Sequence, residues 1–85
     1  MARVQFRFKS GDARTVALAC DCNGWSATAH PMSKGPGDVW SIDVDLPPGR
    51  HEYKFLVDGK QWWNDPETPK VPNIWGTENS YVDVQ

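Results

Sequence analysis

Trp62 and Trp63 stand side by side in the stretch YKFLVDGKQWWNDP, which runs from Tyr53 to Pro66. Indoles do contact chemistry: the flat face covers apolar surface, and the ring N–H donates a single hydrogen bond. Neighbouring side chains of a strand point to opposite faces, so two adjacent indoles cannot both enter one core. One of the pair is expected to face water beside Lys54. A further indole, Trp75, lies between Asn64 and Asn79, a segment rich in Pro, Asn and Gly. Long ordered loops that carry a large aromatic residue are more often functional than accidental.

Groups for bond-making chemistry are less well placed. Carboxylate-pair hydrolysis needs two facing acids, whereas Asp65, Glu67 and Glu78 share one segment with no second element to set a partner across from them. A serine or cysteine nucleophile needs a positioned histidine, and His51 falls on the inward face of a strand pattern. The expectation is a chain that is not an enzyme. Cys20 and Cys22, if extended, would have Cα atoms about 7 Å apart, at the limit of disulfide reach, which predicts free buried thiols. His30 and His51 lack the spacing that would complete a zinc site with this C-x-C pair, so no metal or cofactor is expected.

The size suits one domain over residues 1–85. Nine basic residues against eleven acidic ones give a net charge of −2, and the basic residues are scattered. That is not the footprint of nucleic-acid binding. No apolar run is long enough to span a bilayer, and the start MARVQFRFKS lacks the apolar core of a secretory signal, so a cytoplasmic location is expected.

The elements that must position the indoles read as strands. Val4, Phe6 and Phe8 alternate with polar residues, Val16, Leu18, Cys20 and Cys22 share another face, and Trp40, Ile42, Val44 and Leu46 form a stripe that assigns Trp40 to the core. His51, Tyr53, Phe55 and Val57 face inward, with Glu52, Lys54 and Leu56 opposite, and Tyr81 to Val84 reads as a last strand. Turn signals separate these runs: Ser10-Gly11-Asp12, Asn23-Gly24, Gly35-Pro36-Gly37, Pro47-Pro48-Gly49 and Asp58-Gly59. The pattern predicts an all-β, antiparallel β-sandwich of about six or seven strands.

Asp58-Gly59 leaves the outward indole open. A two-residue turn puts Lys54 opposite Trp63, whereas a three-residue loop through Lys60 slides the register by one and puts Trp62 on the face of Lys54 and Leu56.

The motifs DCNGWSATAHPM, LPPGRHEYKFLVDGKQWWNDP and VPNIWGTENSYVDV resemble, in order and spacing, the family 48 carbohydrate-binding modules. These include the glycogen-binding domain of the AMP-activated protein kinase β subunit and the early-set modules of isoamylases and branching enzymes. The resemblance runs from about Val4 to Val84 and implies an immunoglobulin-like sandwich that binds α-1,4-glucans on a shallow aromatic surface. It implies Trp25 as the first stacking platform, Lys54 as a sugar-bonding lysine and Trp62, counted back from Asn64-Asp65-Pro66, as the second platform, which favours the three-residue loop. In WGTEN it implies an apolar contact from Trp75 and hydroxyl bonding by Thr77 and Asn79. Cys22 departs from the family, since many relatives carry Phe there.

These residue types suit a glucan. A glucose ring has weakly apolar faces that an indole can cover, and a rim of hydroxyls for an ammonium, a hydroxyl and an amide. The expected partner is therefore an α-glucan such as glycogen, starch or a malto-oligosaccharide. The alternative is a protein-interaction scaffold of the same fold attached to, or regulating, a glycogen-metabolising enzyme, because exposed aromatics serve either role.

Overall fold

A computed structural model describes residues 2–85; residue 1 of the expected domain lies outside them. Eight strands follow in chain order: β1 (Ala2–Lys9), β2 (Val16–Cys20), β3 (Ser33–Lys34), β4 (Val39–Leu46), β5 (Gly49–Val57), β6 (Gln61–Trp63), β7 (Lys70–Pro72) and β8 (Glu78–Val84). All their pairings are antiparallel. One sheet has the order β1-β4-β3, and the other runs β2-β5-β8-β7, with β6 also paired to β5. Among the described residues no helix is long and apolar enough to cross a membrane.

The period-two stripes become the two inner faces. Phe6 and Trp40 of one sheet and Leu18, Tyr53, Phe55 and Val57 of the other are buried in a common core. Aromatic contacts join the layers: Phe6 meets Tyr53 edge-on with ring centroids 4.7 Å apart, and Phe8 lies 5.1 Å from Phe55. Such pairs add about 0.5–1.5 kcal/mol each beyond their burial.

Two boundaries differ from the sequence expectation. The Asn64–Asn79 segment is not wholly irregular, because β7 forms within it and β8 starts at Glu78 instead of Tyr81. Lys70 to Pro72 pair with Ser80 to Glu78, and this tertiary pairing overrides the poor strand propensity of a Pro-rich stretch. With the two-residue β3, it raises the strand count above the expected six or seven.

The cysteine expectation is corrected as well. Cys20 and Cys22 form a disulfide, with Cα atoms 5.0 Å apart. Strand β2 ends at Cys20, and Asp21–Asn23 coils into a 3-10 turn. Coiling draws the two Cα atoms closer than an extended chain would. Only Cys20 is buried; Cys22 is exposed.

Candidate functional site

The outer face of β5 forms the floor of the site. Glu52 and Lys54 project from it two residues apart, on the side away from Tyr53 and Phe55. In the β5–β6 hairpin Val57 pairs with Gln61, Leu56 with Trp62 and Phe55 with Trp63. The loop therefore has three residues, and Trp62 takes the outward face. Asp58 and Gly59 adopt the left-handed conformation, with φ of 55° and 68°, and the Lys60 N–H donates to the Val57 carbonyl at 3.0 Å. A left-handed Asp is tolerable because its short side chain bonds locally or nearby. Here its Oδ1 accepts the backbone N–H groups of Arg14 and Thr15 at 2.7 and 3.0 Å, which hold the carboxyl below its ordinary pKa.

Trp63 takes the inner face but is not sealed there. It remains 51% exposed, with Phe8 as its aromatic neighbour at 6.5 Å. The short β6 lies opposite an edge strand, β1, so the sandwich has too little cover at this end.

Trp25 enters from the 3-10 turn. Gly24 and Trp25 both have positive φ, 67° and 60°, reversing the chain so that the Trp25 N–H donates to the Cys20 carbonyl at 2.8 Å. Asn23 braces this reversal. Its Oδ1 accepts from the Cys20 and Ser26 N–H groups at 3.1 Å each, and its Nδ2 contacts the Leu18 carbonyl and His30 Nδ1.

Trp75 and Thr77 stand on the β7–β8 hairpin loop, 73–77, which Asn73 organises. Asn73 Oδ1 accepts the Trp75 and Thr77 N–H groups at 3.0 and 3.1 Å, and its Nδ2 donates to Thr77 Oγ1 at 2.8 Å and Asn79 Oδ1 at 2.9 Å. That uses the full capacity of one carboxamide. Gly76, at φ 81°, closes the turn.

These three approaches surround an open concavity of about 980 Å³. Trp25, Lys54, Trp62, Trp75, Thr77 and Asn79 all line it, so the structure brings together every residue singled out as a candidate sugar contact. Trp25, Trp62 and Trp75 are 38%, 50% and 81% exposed, a large apolar surface for a chain of this size. Lys54 Nζ lies 3.4 Å from Thr77 Oγ1, leaving ammonium donors open. Asn79 is the least accessible of the six: it is buried, accepts from Asn73 and donates to Glu52 Oε1 at 3.1 Å.

Sequence reasoning missed Asp21, Glu52, Asn73 and Ile74, which also line the concavity. Glu52 was detectable from its two-residue spacing to Lys54. Asn73 had a weaker signal, an Asn three residues before a Gly in a turn-rich loop. Of the acids considered for catalysis, Asp65 and Glu67 line a separate, smaller hollow, where the Glu67 N–H donates to Asp65 Oδ1 at 3.0 Å. Asp65 is buried and accepts a hydrogen bond from the Tyr53 hydroxyl at 2.8 Å. His51 Nε2 sits 2.8 Å from the Pro47 carbonyl, with Asp21 on its other side.

Over residues 2–85 the chain matches a family model described as the glycogen recognition site of AMP-activated protein kinase. It is 40% identical over 76 residues to the 5'-AMP-activated protein kinase subunit beta-1 of Sus scrofa, covering 89% of this chain and 59% of that one. Against subunit beta-2 of Homo sapiens it is 41% identical over 76 residues, covering 89% and 27%. The chain thus spans only part of the length of these relatives.

Proposed function

Because the chain belongs to the family of the glycogen recognition site of AMP-activated protein kinase, a class of non-catalytic carbohydrate-binding modules, we propose that it binds α-1,4-glucans through stacking on Trp25, Trp62 and Trp75. The observation that carries this reading is the convergence of three exposed indoles on one concavity. Each indole contributes by removing the apolar face of a glucose unit from water, at about 25 cal/mol per Å². Lys54, Thr77 and the remaining N–H of Asn79 supply direction by bonding ring hydroxyls. Platforms carried by three separate segments, a turn, the short strand β6 and the β7–β8 loop, suit a curved polymer such as glycogen, starch or a malto-oligosaccharide. Glycogen as the ligand goes with a cytoplasmic location.

An open site that must order a flexible sugar implies a dissociation constant on the order of micromolar to millimolar. Titration of intrinsic tryptophan fluorescence with maltoheptaose or β-cyclodextrin tests the reading. A saturable change that is lost in Trp25→Ala supports it; no response at millimolar sugar refutes it.

A second reading, contact with another protein, is favoured by Trp63, which lies half-exposed beside Phe8 on the other side of the sheet from the glucan patch. The relatives are named as kinase subunits, and a kinase or glycogen-metabolising enzyme is the matching partner. On this reading Trp63→Thr leaves the sugar titration unchanged and weakens the complex with that partner.

A further inference from the structure

The charges of the concavity are not accounted for by stacking. Two carboxylates, Asp21 and Glu52, line it against one ammonium, Lys54. Glu52 is fixed there from two sides: Asn79 Nδ2 donates to its Oε1 at 3.1 Å, and its backbone N–H donates to Asp21 Oδ2 at 3.1 Å. Among the described residues no hydrogen-bond partner occupies Glu52 Oε2 and no cation approaches Glu52 within ion-pair distance.

Resting on the glucan reading above, we propose that Glu52, supported by Asp21, is a specificity-determining residue that selects neutral, unphosphorylated glucan. A glucose hydroxyl is a donor, and an ionised carboxylate is an acceptor that forms stronger hydrogen bonds than a neutral oxygen does. A neutral chain stacked on the indoles therefore brings Glu52 the donors it lacks. A phosphomonoester at C6 carries about −1.5 to −2 charges at neutral pH and presents mainly acceptors. Lys54 offers one attraction, but the two carboxylates outnumber it. The phosphorylated chain meets like charge and brings no donor to Glu52 Oε2.

Isothermal titration calorimetry with maltoheptaose and with maltoheptaose 6-phosphate tests this at low ionic strength. Wild-type protein is expected to bind the neutral sugar at least about fivefold more tightly than its phosphate. Glu52→Gln retains the oxygen that Asn79 bonds but removes the charge, so it should weaken the neutral sugar, strengthen the phosphorylated one and narrow the ratio to about twofold. Raising salt from about 0.05 to 0.5 M should narrow the wild-type ratio too, which supplies a readout independent of any effect of the variant on folding. Equal binding of both sugars by wild type overturns the assignment. So does a preference that survives both Glu52→Gln and high salt, which would make it steric. Binding of neither sugar removes the glucan reading itself.

Discussion

Two residues of the β7–β8 loop separate contact from support. Trp75 is 81% exposed, and its backbone N–H donates to Asn73 Oδ1. Trp75→Ala should leave the melting temperature within about 2–4 °C of wild type, since isolated surface substitutions stay within about 0.5 kcal/mol. It should weaken maltoheptaose about tenfold, the effect of uncovering roughly 50 Å² of apolar face. Asn73 is the opposite case. It makes four hydrogen bonds that set Trp75, Thr77 and Asn79. Asn73→Ala should cost about 1–2 kcal/mol of stability and also weaken the sugar, although Asn73 need not touch it. Thermal unfolding and calorimetry on both variants check the contrast, and an Asn73→Ala protein with undiminished affinity would remove its positioning role.

The β5–β6 hairpin shows what was readable in the sequence and what was not. Alternation placed Tyr53, Phe55 and Val57 of β5 in the core and Glu52 and Lys54 on the other face, but Leu56 on that other face is also buried and His51 is only half-buried. Loop length was not decidable from Asp58-Gly59, which serves either register. The Asp58 carboxylate bonds to Arg14 and Thr15, more than forty residues away in sequence, and no local pattern announces it. The Cys20–Cys22 turn escaped for a related reason: apolar spacing continued through Cys22 although the chain had already left the sheet. The Asp58 bonds give a pH prediction. Those N–H donors depress the folded-state pKa, so the contribution is present above the ordinary carboxylate range and is lost as pH falls through the folded value. The wild-type melting temperature should decline between about pH 5 and pH 2, and Asp58→Asn should decline less. Parallel acid profiles for the two proteins would contradict the assignment.

At the scale of the whole molecule, the sandwich keeps its folding core and its proposed binding surface on opposite faces of one sheet. Tyr53 and Phe55 of β5 point in, and Glu52 and Lys54 of the same strand point out. Loss of a patch residue therefore need not open the core, whereas loss of Phe55 would cost about 3–5 kcal/mol, much of what a small domain has. Tyr53 extends the inner face into the segment that leads to β7. Its hydroxyl donates to the buried Asp65 at 2.8 Å and lies 3.0 Å from Thr68 Oγ1, while Ser80 Oγ accepts the Asp65 N–H at 2.8 Å. Burial, with the neighbouring Asp65 carboxylate, pushes the Tyr53 phenol well above its ordinary pKa. A folded-state pKa raised in this way favours the neutral phenol, so its contribution is complete below the unfolded value near pH 10. It is lost as pH rises from there through the folded value. Tyr53→Phe keeps the ring in the core but leaves Asp65 Oδ2 without its donor. The variant should be less stable by about 1–2 kcal/mol at neutral pH, and its loss of stability above about pH 10 should be shallower than that of wild type. Urea unfolding at pH 7 and at pH 10.5 measures both effects. A variant as stable as wild type at pH 7, with the same alkaline decline, would mean that the Tyr53–Asp65 bond does not secure the segment between β6 and β7.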